Sequence, residues 1–122
     1  MQVLPYRVLA LDLDGTLTNS QKVITPFTQD IVTRAAHLGL KIVLASGRPV
    51  PGVMPLAKQL RLEDLDGYIL AANGAQLLSC REHRVLYEAT MSPSLLPRMK
   101  AMADVHGLTM ICYDEQSLVT DR

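Results

Sequence analysis

Short apolar runs alternate with helix-spaced segments through the first part of the 122-residue chain. Residues 7–11 read as a buried strand, closed by Asp12, Asp14 and Gly15. A helix follows the loop, with Thr25 as N-cap and Pro26 at its first position. Phe27, Ile31, Ala35 and Leu38 recur at helical spacing, and Gly39 supplies the stop. Residues 41–45 form a second short strand, broken by Ser46, Gly47, Arg48 and Pro49. Strand, helix, strand is a βαβ unit with a right-handed crossover. A second helical segment covers roughly residues 50–60, with Val53, Met54, Leu56, Ala57 and Leu60 on its apolar side. Pro51 and Pro55 predict that it begins late or is kinked. Residues 68–72 form a third strand ending in Asn73 and Gly74, which completes one doubly wound α/β layer.

After Gly74 the pattern changes. Residues 75–78 and 85–88 are strand candidates around a polar turn with Arg81, Glu82 and His83, so a hairpin is expected. Ser92 caps a helix that starts at Pro93 and carries Leu95, Leu96, Met99, Met102 and Ala103 toward Gly107. Residues 108–113 and 117–120 are further strands around a turn at Asp114 and Glu115. This is the start of an α+β insert, with a boundary near residues 80–90. Met99, Met102 and Met110 read as core filler.

Charge narrows the partners only by exclusion. Lysine plus arginine and aspartate plus glutamate both total 12, so the formal net charge is zero and nothing draws the chain generally to nucleic acid or anionic membrane. The N-terminus lacks a basic region followed by a long apolar one, and residues 8–11 are too few to span a bilayer. A cytoplasmic location is expected. Cys80 and Cys112 form no CxxC pair and read as buried, reduced thiols, and His37, His83 and His106 lack metal-ligand spacing.

The chemistry concentrates where strands end. A strand points alternate side chains to one face, so Asp12 and Asp14 leave the sheet on the same side. Two anions that close need a cation, a shared proton or a substrate that uses them. Parallel strands one and two end at the same edge, so this loop and Ser46 can converge on one crevice. Gly15 permits a tight turn. Ser46 alone is a common turn former, Arg48 orients an anionic ligand or pairs with a nearby carboxylate, and Asn73–Gly74 is an ordinary turn signal.

The run Asp12, Leu13, Asp14, Gly15, Thr16 after an apolar lead-in resembles the DxDGT signature of the haloacid dehalogenase superfamily of phosphohydrolases. Ser46, Gly47, Arg48, Pro49 (SGRP) and Asn73, Gly74, Ala75 (NGA), with an α+β insert after strand three, narrow the resemblance to the Cof-type subfamily. It implies a partial doubly wound α/β core of the Rossmann kind over residues 1–80, followed by the start of an α+β cap over residues 81–122. It also implies a Mg²⁺-dependent phosphatase of small phosphorylated metabolites. Asp12 is then the nucleophile that forms an aspartyl-phosphate, and Asp14 the general acid and base. Ser46, with Gly15 and Gly47, binds the phosphoryl group, Arg48 and Asn73 meet substrate, and the Asp12 carboxylate with the Asp14 carbonyl binds the metal.

Members of that family are about twice this long. After the cap they return to the core for a lysine and an acidic pair, neither of which can be matched here, and the sequence stops at Asp121 and Arg122 inside the expected cap. The flank of the nucleophile strand would then be bare, so the chain is expected to be marginally stable or to associate with another copy through the uncovered edge. Two alternatives to the phosphatase stand. One is a non-catalytic binding or assembly module that keeps the nucleophile loop, and the other a phosphotransferase such as a hexose-phosphate mutase.

Overall fold

The computed structural model describes residues 5–113 and 117–121. They fall into two compact units, Met1–Glu88 and Ala89–Arg122.

The first unit is a five-stranded sheet with two helices. Its elements in chain order are β1 (Val8–Asp12), α1 (Pro26–His37), β2 (Lys41–Ala45), α2 (Val50–Gln59), β3 (Tyr68–Ala71), β4 (Gln76–Ser79) and β5 (Arg84–Glu88). Spatial order equals chain order, with β1, β2 and β3 parallel and β4 and β5 antiparallel. Both helical crossovers step across the sheet in the same direction, so right-handedness puts α1 and α2 on one face. Burial agrees: Ile42, Leu44, Ile69 and Ala71 are fully buried, whereas the alternating Val43, Ala45, Tyr68 and Leu70 are half-buried. Leu13, Leu17, Ile24, Val53, Leu60 and Leu62 complete the core.

The caps form where side chains supply them. Thr25 accepts from the Thr28 N–H and Pro26 opens α1, as read from the sequence. Of the apolar positions that mark this helix, however, only Ala35 packs against the core. Val32 is buried, while Phe27 is 76% exposed, and Ile31 and Leu38 are also exposed. Helical period identifies a helix, but which flank is covered depends on the neighbours: α1 packs toward β2, and β1 is the last strand on its side. In α2, Pro51 sits in the first turn, where its missing N–H costs nothing, and Pro55 removes one ladder bond from the interior.

The hairpin over residues 75–88 forms, but on the core sheet. Strand β4 pairs with β3 through the turn at Ala72–Gly74, and β5 extends the sheet, so the first compact unit continues to Glu88.

In the second unit, Ser92 caps a short 3₁₀ turn, Pro93–Leu95, that runs into α3 (Leu96–Val105). Strands β6 (Ile111–Tyr113) and β7 (Leu118–Thr120) pair antiparallel, and the turn expected at Asp114 and Glu115 lies outside the described residues. Met99 and Met102 are exposed rather than core, since α3 turns only Ala103 to a buried position, and Met110, beyond the helix, is half-buried. Cys112 is likewise exposed, in contrast to the expectation for both thiols, whereas Cys80 is buried; both are free. His37, His83 and His106 are exposed, with His83 paired to Glu63.

Candidate active site

The DxDGT loop is built around buried leucines. Leu13 is fully buried between exposed Asp12 and Asp14, so the strand's alternation continues one residue past β1 and carries both carboxylates to the solvent side. The Leu13 carbonyl accepts from the Thr16 and Thr18 N–H groups and from the buried Thr18 hydroxyl at 3.0 Å, while the Asp12 carbonyl accepts from Leu17 N–H. These bonds fold residues 13–18 back on themselves. Gly15 has φ +83°, a left-handed value with open space around it, so the backbone conformation and not crowding requires glycine.

Register brings the second cluster to the same edge. Asp12 lies opposite Ala45 across the β1–β2 ladder, one residue short of Ser46. Ser46 N–H donates to Leu70 O, and its hydroxyl accepts from the Arg48 N–H at 3.1 Å, the turn-forming role available to any serine there. Asn73 N–H donates to Ser46 O and Ala72 N–H to Arg48 O, which joins the β2 and β3 ends. Asn73 takes left-handed φ 55°, and its side-chain oxygen lies 2.9 Å from where a Cβ on Gly47 would stand.

Arg48 makes the decisive connection. Its Nη2 and Nε donate to Asp14 Oδ1 and Oδ2 at 2.5 and 3.1 Å, and its Nη1 donates to Gly52 O. Of the two options for this arginine, the carboxylate pair is formed. Lys22 was not among the residues that the motifs singled out, yet its Nζ also donates to Asp14 Oδ1 at 2.8 Å. The Lys22 bond first, and Arg48 second, hold the Asp14 carboxyl below the ordinary carboxylate range. A turn signal at Asn19 and Ser20 returning a lysine toward the loop was the available clue.

The structure thus brings Asp14, Ser46, Arg48 and Asn73 into one hydrogen-bonded network, with Gly47 against the Asn73 side chain and Gly15 in its turn. Asp12 stands beside it at the strand end. Among the described residues no three His, Cys, Asp or Glu side chains cluster as a metal site. The Asp12 carboxylate and the Asp14 carbonyl are oxygen donors only, a set that suits a hard cation in kind and fills part of its shell. A cavity of about 380 Å³ lined by Met54, Ala57, Leu62, Leu78, Cys80 and His83 shares no residue with this network.

Residues 9–122 match the model of the haloacid dehalogenase-like hydrolases. The chain belongs to that family. It is 30% identical over 115 residues to YxeH of Bacillus subtilis (strain 168), a provisionally named phosphatase, covering 94% of this chain and 43% of the relative. It is 27% identical over 113 residues to the pyridoxal phosphate phosphatase YbhA of Escherichia coli (strain K12), covering 93% and 40%. A crystal structure of a haloacid dehalogenase-like hydrolase from Bacteroides thetaiotaomicron superimposes with a TM-score of 0.87 at 36% identity, covering 96% of this chain and 44% of that one. The fold is accordingly the α/β core of this family, and the chain spans less than half the length of these relatives. No helix among the described residues is long and apolar enough to cross a membrane.

Proposed function

We propose that this chain carries the nucleophile half of a Mg²⁺-dependent phosphatase that acts on small phosphorylated metabolites. The reading rests on one observation above the others: Arg48, from the loop after β2, binds Asp14, from the loop after β1, so the two motif segments share one site. YbhA, named for its action on pyridoxal phosphate, illustrates the substrate class without assigning a substrate here.

In this reading an Asp12 carboxylate oxygen attacks phosphorus as the ester bond breaks, and Asp14 hands a proton to the leaving alkoxide. Asp14 then takes a proton from a water that attacks the aspartyl-phosphate, releasing phosphate and restoring Asp12. The Asp12 carboxylate and the Asp14 carbonyl would hold Mg²⁺, which when bound neutralises charge between the dianion and the carboxylates. The hydroxyl of Ser46 and the backbone at Gly15 and Gly47 face the phosphoryl group, and Asn73 and Arg48 orient substrate. Bringing a dianion to the site sets up a competition with Asp14 for the Arg48 guanidinium.

The partner reading is a second copy of the chain. The outer side of β1 has no paired strand in the described sheet, and Val8 is 56% exposed there. A cytoplasmic location goes with this reading.

Hydrolysis of a generic aryl phosphate with Mg²⁺, comparing the chain with Asp12→Asn, tests the function. Turnover that the substitution abolishes is expected. Equal behaviour of the two contradicts the enzyme and leaves the binding module, while transfer to an added sugar acceptor in preference to water indicates a phosphotransferase.

A further inference from the structure

Two cations hold Asp14, and they do not do the same thing. Arg48 touches both carboxylate oxygens, whereas Lys22 touches only Oδ1. Among the described residues, Oδ2 is therefore bound by Arg48 Nε alone.

Lys22 reaches that oxygen from a preset turn. It has φ +62°, a left-handed value that a long L side chain seldom adopts, and its N–H donates to Asn19 O at 2.9 Å. The Asn19 side-chain oxygen accepts from the Gln21 and Val23 N–H groups at 3.0 and 3.1 Å, and Asn19 N–H donates to Val23 O. Thr18 and Ile24, both buried, anchor the two ends of the turn. Four bonds about one asparagine thus fix the backbone from which this exposed lysine projects.

We propose that Lys22 is a positioning residue: it keeps hold of Asp14 Oδ1 when a phosphoryl group draws Arg48 away, so that the carboxyl group keeps its place in the site. The inference rests on the phosphatase reading. Lys22 acts through Asp14, whose side-chain conformation it holds, and makes no contact with the reacting phosphorus.

The test pairs kinetics with a spectrum of the substrate-free chain. In aryl phosphate hydrolysis, Lys22→Met is expected to lower kcat about tenfold with KM within about twofold of the unaltered chain. Lys22→Arg should recover most of the loss, and Asn19→Ala should fall in the same direction as Lys22→Met. In ¹⁵N-detected NMR, the Lys22 ammonium should exchange slowly with water and lose that protection in Asp14→Asn. A raised KM at unchanged kcat makes Lys22 a substrate contact and overturns the proposal. So does unchanged turnover in Lys22→Met, or a Lys22 ammonium that exchanges freely. If the unaltered chain hydrolyses nothing, the phosphatase reading is what fails, and the spectrum still judges the Lys22 contact.

Discussion

Arg48 grips Asp14 with two parallel hydrogen bonds across 34 positions of sequence. A planar guanidinium meets a carboxylate at both oxygens, and an ammonium cannot reproduce that fork. Replacing Arg48 with Lys should therefore lower kcat/KM for an aryl phosphate by about tenfold to a hundredfold. Both side chains are partly exposed, so the melting midpoint should move little. Unchanged kinetics in Arg48→Lys would mean that the fork is incidental.

Strand β1 leaves one row of backbone N–H and C=O groups without a strand partner in the described sheet. Light scattering should give a molar mass above the 13.4 kDa of one chain, and Val8→Lys should return it to the single-chain value. A monomer for the unaltered chain contradicts pairing through this edge.

Acid should weaken the first unit through Asp66. Its hydrogen bond from Lys41, aided by Arg81, holds the carboxyl below its ordinary value. The folded state thus prefers the ionised form, so the stabilisation is complete above the unfolded carboxyl pKa of about 4 and is lost as pH falls through the lower folded value. Urea midpoints measured down the acid limb should drop less steeply in Asp66→Asn. Identical limbs would remove Asp66 from the account.

The two thiols should differ sharply in reactivity. Burial pushes the Cys80 thiol up to about 11, whereas Cys112 is exposed. A disulfide reagent added to the native chain near pH 8 should modify one cysteine quickly and the second only on unfolding. Peptide mapping that finds Cys80 labelled first would contradict its burial.

Much of this was legible along the chain where a residue's role is local. Thr25–Pro26 marks the start of α1, and the breaks at Asp12 and Ser46 mark the ends of β1 and β2, because caps and strand ends depend on near neighbours. Which apolar residues are buried depends on packing partners. Phe27, Ile31, Met99 and Met102 carry the spacing of a helix and remain exposed. The 75–88 hairpin was visible, but its attachment to β3 is a pairing choice that no local pattern contains. At the site, the motif residues were readable as a set, whereas Lys22 was not: its contact depends on a left-handed φ and on the Asn19 side chain.

The proposed chemistry begins with capture of the phosphoryl group by Asp12. Mixing the chain with an aryl phosphate and Mg²⁺, quenching in acid and mapping the peptides by mass spectrometry checks that step itself. A phosphoryl adduct on Asp12, absent from Asp12→Asn, is expected. Turnover with no adduct at Asp12, or with the adduct on another residue, would contradict it.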